Sequence, residues 1–261
     1  MNSMTNRQHW LDYIANLAEP KPTYQEWAAI YRPTKRVIIG GGALGSELAK
    51  QTGWKILTRS TDGIDIERSE TFHLLKGATE IINCAAFTDT YSTDSEGAMS
   101  TNVDGVHNLI EFCRWKELKL IHISTDFVYA GSVPMATEED LPIHAPNWYA
   151  LTKLVGDVMI QRFLPNHLIV RLSHKPTPFP FSKAWLDVRT SADYTPTLVE
   201  SLIELIETGA LGTYNIGSEP RTIFEMASKT RFVEGATSPE GVPKDTTMCI
   251  DKYKKHLNND K

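Results

Sequence analysis

From residue 35 onward, short apolar runs alternate along the chain with stretches whose apolar residues recur at helical spacing. The predicted strands cover residues 37–39, 54–57, 80–83, 118–123 and 167–172. The predicted helices between and after them cover residues 43–51, 102–115 and 149–163. Such alternation is typical of the α/β class, in which helices cover both faces of a parallel sheet. The pattern therefore predicts a Rossmann-type, doubly wound parallel sheet, which binds ligands at the carboxyl ends of its strands.

Residues 1–34 precede this alternation and are predicted to form an N-terminal helical extension. Trp10, Tyr13, Ile14 and Leu17 recur at helical spacing, and a proline-containing segment follows them. A helix with one apolar face is stable only when that face is covered. We therefore expect the extension to pack on the main body or on a partner.

Residues 35–172 are predicted to form one Rossmann domain, and residues 173–261 a small, reduced C-terminal substrate lobe interleaved with the last sheet elements. In this second part, helices are expected at residues 198–207 and 222–230, and a strand at residues 212–216. The remaining residues up to the C-terminus are polar and weakly patterned, so no element is predicted for them.

The composition favours a soluble protein that handles small molecules. The chain has 261 residues, of which 41% are hydrophobic, and its net charge is -5. This charge disfavours nucleic acid and acidic membrane surfaces, since both select basic patches. No apolar run approaches the roughly 18 residues that a membrane span needs. The cysteines, Cys84, Cys113 and Cys249, have no CxxC spacing. We therefore expect no disulfide framework, no metal site and a reducing, cytoplasmic location.

A glycine-rich turn follows the first predicted strand and opens the first predicted helix. Its sequence, GGGALG, satisfies the GxGxxG pattern of dinucleotide-binding proteins. In that pattern Gly40 permits the tight turn, Gly42 lets a pyrophosphate approach the backbone, and Gly45 lets the helix pack closely on the strand. The helix begins at Ala43 and Leu44, whose free N–H groups are expected to hold the phosphates. The alternative is an ordinary strand-to-helix turn.

The end of the second predicted strand bears on the choice of cofactor. An acidic residue there would bind the ribose 2′-hydroxyl of NAD. This chain instead has Thr58, Arg59 and Ser60, and a guanidinium beside two hydroxyls suits the 2′-phosphate of NADP(H). Asp65 and Ile66 are then expected to border the adenine. The alternative is that Arg59 is an ordinary solvated surface residue.

Tyr149 and Lys153 form a YxxxK motif on a predicted helix, where residues four apart share one face. We expect the lysine ammonium to lower the pKa of the tyrosine, so that Tyr149 exchanges a proton with a carbonyl oxygen as hydride is transferred. The fourth strand ends at Ser124, Thr125 and Asp126, and a hydroxyl there can bond to the substrate oxygen. The alternative is a tyrosine and a lysine on an amphipathic surface.

Several segments of the chain resemble segments of one protein family, and they occur in the same order as in that family. The chain resembles the extended short-chain dehydrogenase/reductase family, and within it is most similar to the dTDP-4-dehydrorhamnose reductases. The segments that carry the resemblance are NCAAFT at 83–88, Asn102, STDFVY at 124–129, the Tyr149 and Lys153 pair, RLS at 171–173 and GTYNIG at 212–217. They cover about residues 36–230.

The resemblance implies roles for individual residues. It implies a cofactor site that includes Ala85, Ala86, Thr88 and Ser124. It further implies that Thr125 orients the substrate carbonyl and that Tyr149 is the acid. Lys153 would hold the nicotinamide ribose and tune Tyr149, while Asp126 would lie beside the sugar. Residues 35–172 would then be the NADP(H)-binding domain.

Phe127, within one of the matching segments, bears on the type of reaction, and three further features depart from the family pattern. Sugar dehydratases that resemble this chain have a glutamate base where Phe127 stands, so keto reduction is favoured over elimination. His174 stands where the reductases have a tryptophan against the nucleotide sugar. The segment that follows is short, which predicts a substrate smaller than a dTDP-sugar or a more open pocket. The glycine turn is also one residue shorter than the GxxGxxG of the extended family.

The resulting hypothesis is an NADP(H)-dependent oxidoreductase that reduces a 4-keto-6-deoxy nucleotide sugar or a similar keto sugar. One alternative is a nucleotide-sugar 4-epimerase, which uses the same tyrosine and lysine. The other is a non-catalytic NADP-binding regulatory subunit, like that of methionine adenosyltransferase, which resembles the same reductases. The resemblance is also compatible with a homodimer.

Overall fold

The computed structural model describes residues 35–140, 145 and 147–259. The predicted N-terminal extension, residues 1–34, lies outside these described residues. The main sheet is built from β1 (Arg36–Ile39), β2 (Lys55–Leu57), β3 (Glu80–Asn83), β4 (Lys119–Thr125), β5 (His167–Leu172) and β10 (Gly212–Asn215). The shorter strands are β6 (His174–Lys175), β7 (Lys183–Trp185), β8 (Arg189–Thr190), β9 (Asp193–Tyr194), β11 (Arg221–Thr222), β12 (Glu234–Ala236) and β13 (Asp245–Thr246).

The helices of the described part lie between these strands and after them. They are α1 (Ala43–Thr52), α2 (Ser95–Met99), α3 (Gly105–Lys116), α4 (Trp148–Phe163), α5 (Thr195–Glu207), α6 (Ile223–Ala227) and α7 (Asp251–Asn259). A single π-helical turn, Ser100–Asp104, joins α2 to α3. Two 3-10 helices, Ser69–Leu75 and Asp126–Tyr129, complete the set of named helical segments.

The main sheet has the order β10-β5-β4-β3-β1-β2, and every neighbouring pair in it is parallel. The strand order therefore reverses between β1 and β3. The Rossmann-type α/β fold predicted from the alternation of apolar runs is confirmed. In such sheets the crevice at the reversal point, at the carboxyl ends of the strands, is where ligands bind.

Two apolar layers cover the two faces of this sheet. On one face Val37 and Ile39 of β1 pack with residues of α3 and α4, such as Leu109 and Ile160. On the other face Ile38 packs with residues of α1, α5 and α7. Successive strand residues point to opposite faces, so a strand covered on both sides is apolar throughout. This explains why the predicted strands appear as continuous apolar runs.

The segment after β5 forms small sheets around a separate apolar cluster. The orders are β11-β8-β13, β12-β7 and β6-β9. Phe179, Val188 and Met226 are among the buried residues of this cluster. The predicted helix at residues 222–230 is shorter in the structure, where α6 covers Ile223–Ala227 and begins with a capping box formed by Thr222 and Glu225.

The C-terminal helix α7 was not expected, because residues 251–259 are almost all polar. The prediction of no element there is wrong. Tyr253 is buried and Leu257 partly buried, and both pack on the α5 side of the sheet. The two residues are four positions apart and so share one helix face. Packing against the α5 side of the sheet therefore stabilises this helix, although its sequence pattern does not predict it.

Candidate active site

The turns that follow β1 and β3 meet at the point where the strand order reverses. Gly40 has a φ of 108°, and a Cβ on it would stand 2.7 Å from the backbone nitrogen of Ala85. A Cβ on Gly45 would overlap the carbonyl oxygen of Gly40. Backbone atoms cannot move aside as a flexible side chain can. Both glycines are thus required for the close approach of the two turns and of α1.

The N-terminus of α1 fits a diphosphate. Gly42, the N-cap residue, provides no side-chain cap, and the first turn holds no acidic residue. A Cβ on Gly42 would meet nothing within 4 Å. Ala43 is exposed, whereas Leu44 is buried in the core, so only the backbone of Leu44 can face a ligand. Helix N-termini bind phosphates through such free N–H groups.

Arg59 lies in the turn after β2 and is already paired with acidic side chains. Its Nη2 lies 2.7 Å from Oδ1 of Asp65 and 2.8 Å from Oε1 of Glu67. Glu67 also accepts hydrogen bonds from the hydroxyls of Ser100 and Thr101. These bonds, with the one from Arg59, lower the pKa of Glu67. The sequence does not predict that the carboxylate of Glu67 lies beside Arg59 in the turn after β2.

The rest of that turn is also hydrogen-bonded within itself. Thr58 donates its backbone N–H to Oδ2 of Asp62 at 2.9 Å, and its Oγ1 lies 3.2 Å from the Oγ of Ser60. Ile66, expected beside the adenine, has its side chain buried in the core, where it packs against Gly105. Asp62 is therefore a second carboxylate in this region that the sequence does not predict.

Tyr149 and Thr125 lie together at the carboxyl end of β4. Tyr149 stands in the first turn of α4, whose N-cap Asn147 accepts a hydrogen bond from Ala150. Burial raises the pKa of Tyr149 to about 12, while a side-chain hydrogen bond with Thr125 opposes the increase. Thr125 Oγ1 also accepts the backbone N–H of Phe127 at 3.2 Å. The phenol is therefore protonated at neutral pH and lies within reach of a second hydroxyl.

The expected effect of Lys153 on Tyr149 is wrong for this structure. The pKa of Tyr149 rises rather than falls, because burial dominates and the nearby charges of Asp126 and Asp157 add to it. Lys153 lies one turn further along α4, and its Nζ contacts other groups. It is 2.9 Å from His122 Nε2 and donates to the carbonyl of Ile123 at 2.7 Å.

Lys153 is buried, and burial favours the uncharged form of its amine. Burial lowers the pKa of Lys153 to about 8, against the opposing influence of Asp157 and Cys84. His122 is buried as well, and burial together with Lys153 places the pKa of His122 well below its usual value. Its Nδ1 lies 3.2 Å from Nδ2 of Asn83, which is the residue beside it on β3. The sequence does not single out His122 as a site residue.

Asp126 is a buried carboxyl group next to Tyr149. Burial raises the pKa of Asp126 to about 6, although hydrogen bonds from Thr246 and Thr125 and the charge of Lys175 oppose this. Thr246 Oγ1 donates to Oδ2 at 2.8 Å and Thr125 Oγ1 to Oδ1 at 3.2 Å. Thr246 belongs to β13, so the C-terminal segment contributes to the candidate site. The sequence does not predict this contribution.

Phe127 packs its ring edge against Tyr149, with ring centroids 6.1 Å apart and planes at 64°. The residue after Asp126 thus presents an apolar ring, not a base, to the tyrosine. His174, expected at the substrate side, is half-buried on β6, and its Nδ1 lies 3.1 Å from Oγ1 of Thr195. Burial and the neighbouring Lys175 lower the pKa of His174.

The turn after β3 is fixed by Asn102 from the π-helical turn. Its side-chain amide accepts the N–H of Phe87 at 2.9 Å, donates to the carbonyl of Phe87 at 3.0 Å, and donates to Thr152 at 3.0 Å. This turn carries three of the expected cofactor residues, of which Ala85 and Ala86 are partly buried and Thr88 is exposed. One amide therefore links the turn after β3 to the helix of Tyr149.

Ser124 completes the end of β4. Its Oγ is buried and has no hydrogen-bond partner among the described residues.

Within the described residues, no cluster of three His, Cys, Asp or Glu side chains is arranged to hold a metal ion. No helix of the described part is long and apolar enough to cross a membrane.

The arrangement joins a phosphate-binding turn to a protonated phenol and a hydroxyl on one edge of the sheet. The open Gly42, the uncapped N-terminus of α1 and the unpartnered Ser124 fit a dinucleotide that extends from the first turn towards Tyr149. A phenol and a hydroxyl in contact can bind one carbonyl oxygen and give it a proton.

Solved structures share this fold. A hypothetical dTDP-4-dehydrorhamnose reductase from Sulfolobus tokodaii aligns with a TM-score of 0.72 at 24% identity, covering 84% of this chain and 94% of that chain. The dTDP-4-dehydrorhamnose reductase from Bacillus anthracis, solved in complex with NADP, aligns with a TM-score of 0.71 at 22% identity, covering 88% and 98%. The Thermus thermophilus UDP-glucose 4-epimerase complex with NAD aligns at 0.68 and 19%, covering 85% and 92%.

Curated relatives match at the level of sequence. The dTDP-4-dehydrorhamnose reductase of Mycobacterium tuberculosis is 31% identical over 154 residues, which cover 54% of this chain and 50% of that protein. The chain thus spans about half the length of the first relatives it matches. The corresponding reductase of Mycolicibacterium smegmatis is 30% identical over 238 residues, covering 80% and 72%. The RmlD substrate binding domain family matches residues 35–174. The chain therefore belongs to the RmlD substrate binding domain family.

Proposed function

We propose that the protein is an NADPH-dependent reductase of a 4-keto-6-deoxy nucleotide sugar. The observation that carries the proposal is the contact of the Tyr149 phenol with the Thr125 hydroxyl, on the sheet edge that also holds the glycine turn. Relatives named dTDP-4-dehydrorhamnose reductase support the substrate class.

In this proposal Tyr149 is the acid and Thr125 the orienting group. A raised pKa keeps the phenol protonated at neutral pH, which is the form that can give a proton to a carbonyl oxygen. NADPH, when bound, supplies the hydride to the carbonyl carbon. Thr125 and Tyr149 then hold the same oxygen from two sides, which aligns it for proton transfer.

Lys153 and the turn after β3 would bind the nicotinamide half of the cofactor. Lys153 Nζ already contacts one carbonyl and one imidazole, and rotation about its side-chain bonds would bring it to the ribose hydroxyls. Ala85 and Ala86 have small side chains, so a flat ring can approach the turn that carries them. We propose this turn as the nicotinamide side of the site.

We further propose that Arg59 contacts the 2′-phosphate of NADPH. Its guanidinium has five N–H donors, and one nitrogen, Nη2, makes both bonds to Asp65 and Glu67. The other donors remain for a phosphate. The two carboxylates orient the guanidinium but also repel a phosphate, so the expected preference for NADPH over NADH is moderate.

Phe127 supports reduction rather than dehydration. Elimination needs a base that removes the proton next to the keto group, and an aromatic ring cannot act as one. Phe127 instead packs the edge of its ring against Tyr149. The small lobe after residue 172 would supply the remaining contacts to the sugar, with Asp126 and His174 on its near side.

The test is NADPH oxidation with dTDP-4-keto-6-deoxyglucose and with its UDP analogue. We expect turnover of one of them, reduced about 100-fold or more by Tyr149→Phe, the range for loss of a general acid. Tyr253→Phe is the matched control, since this phenol bonds to Glu204 in another part of the fold and its loss should leave the rate unchanged.

Three results would contradict the proposal. Tight NADPH binding without turnover of either keto sugar would favour a non-catalytic binding subunit. Interconversion of sugar epimers without net NADPH consumption would identify an epimerase. Equal rates for wild type and Tyr149→Phe would remove Tyr149 from the mechanism.

A further inference from the structure

Three buried polar side chains form a chain of contacts behind the proposed active site. Asn83 on β3, His122 on β4 and Lys153 on α4 are each at most 2% exposed. Asn83 Nδ2 lies 3.2 Å from His122 Nδ1, and His122 Nε2 lies 2.9 Å from Lys153 Nζ. Buried polar groups require partners of the opposite hydrogen-bonding type, so the protons of this chain of contacts can be assigned.

The assignment begins at the backbone of Ala85. Its N–H donates to Oδ1 of Asn83 at 3.1 Å, which fixes the orientation of the side-chain amide. The amide nitrogen, a donor only, therefore faces His122 and must donate to Nδ1. An imidazole that accepts at Nδ1 and is neutral carries its proton on Nε2. That proton points at Lys153.

An ammonium and an N–H cannot face each other at 2.9 Å, because both are donors. If Lys153 were charged, His122 would have to accept at Nε2 and carry its proton on Nδ1, where it would meet the N–H of Asn83. Reversal of the Asn83 amide would relieve that conflict only by leaving the N–H of Ala85 without its acceptor. The arrangement with all hydrogen bonds satisfied has an uncharged amine at Lys153, which accepts from His122 and donates to the carbonyl of Ile123.

We propose that His122 is a positioning residue that holds Lys153 as an uncharged amine, directed away from Tyr149, until a ligand reaches the site. The importance of Lys153 rests on the proposed function, whereas the proton assignment does not. The groups that face Lys153 are His122 and the carbonyl of Ile123 from β4, Cys84 after the end of β3, and Asp157 from α4. Burial, which favours the neutral amine, acts in the same direction as the contact with His122.

The first experiment reads the tautomer of His122 directly, in the full-length protein without cofactor or substrate. Two-bond proton–nitrogen spectra of the histidine rings distinguish a proton on Nε2 from one on Nδ1. At a pH above the Lys153 pKa of about 8, we expect His122 to carry it on Nε2. His167 is the internal standard for the opposite tautomer, because its Nδ1 donates to the carbonyl of Leu164. His122→Gln assigns the signal, and a proton on Nδ1 of neutral His122 would overturn the proposal.

The second experiment follows the charge of Lys153 by the carbon signal next to its Nζ during a pH titration, with Lys153→Met for assignment. Wild type should titrate near a pKa of about 8, so the uncharged amine of the proposal predominates above that pH and the ammonium below it. His122→Leu removes the opposing donor, so the midpoint should rise by about one pH unit or more. A purely structural role would predict no rise, and an unchanged or lower midpoint would overturn the proposal.

Neither experiment needs a substrate. A protein without reductase activity that shows the Nε2 tautomer would refute the proposed function and leave this inference standing. An active reductase with the other tautomer would do the reverse.

Discussion

Asp126 gives the sharpest test of the electrostatics of the site. Its carboxyl group is buried beside Tyr149 and accepts hydrogen bonds from Thr125 and Thr246. Asp126→Asn keeps the size of the side chain and removes its charge. The hydroxyl of Thr246 can rotate to accept from the new amide, so the variant retains a hydrogen bond at each end of the group.

The expected size of the effect follows from the pKa of Asp126, which burial raises from 3.8 to about 6. A difference of about two corresponds to about 3 kcal/mol of free energy. The folded protein binds the proton more tightly than the unfolded chain, so this group favours the folded state at low pH. The stability is lost as the pH rises through the folded pKa. Asp126→Asn should therefore match wild type near pH 4 and exceed it by about 3 kcal/mol near pH 7.

The measurement is the free energy of unfolding from urea titrations at several pH values between those limits. Asp140→Asn is the control, because hydrogen bonds from Thr137 lower the pKa of Asp140. Its folded-state pKa lies below the unfolded value, so that variant should lose stability at neutral pH and match wild type in acid. A difference between Asp126→Asn and wild type that stays constant across the range would refute the reasoning.

Further predictions concern the cofactor turn and the core. Arg59→Ala should weaken NADPH binding several-fold more than NADH binding in fluorescence titrations; equal losses would show that Arg59 does not contact the 2′-phosphate. Glu67→Gln should strengthen NADPH binding and leave NADH binding unchanged, because it removes a charge beside Arg59. Gly45→Ala should abolish binding of both dinucleotides, since its methyl group overlaps the carbonyl of Gly40. Asp157→Asn should cost about 3–5 kcal/mol in urea unfolding, the usual loss when one partner of a buried ion pair is removed, here that of Arg171.

The sequence predicts the main sheet well because its strands are buried on both faces. β1, β3 and β5 consist largely of buried residues, so each contains a short apolar run of two or three residues. The small strands after β5 have two or three residues each and are too short to show any period. Helix α7 cannot be recognised from the sequence either, since Tyr253 and Leu257 contact the core and its other residues are polar.

The candidate site could be proposed from the sequence where its residues lie close together in the chain. Tyr149 and Lys153 follow from helical spacing, and Thr125 from its place at the end of a strand. His122, Thr246 and Glu67 reach the site only through pairing of strands and packing of loops distant in sequence. His122 did leave a signal, because a histidine inside an apolar strand must find polar partners. Its neighbour across the sheet, Asn83, is such a partner.

Because of the π-helical turn Ser100–Asp104, the orientation of α2 relative to α3 depends on the number of residues between them rather than on their identity. Such a turn holds one residue more than the α-helical path, and each α-helical residue turns the chain by about 100°. Deleting one residue here would rotate α2 by that angle relative to α3 and swing Asn102 away from Phe87. Insertions and deletions in this helix thus act on the turn after β3, so a designer who shortens it would alter the proposed activity without replacing any residue to which a catalytic role is assigned.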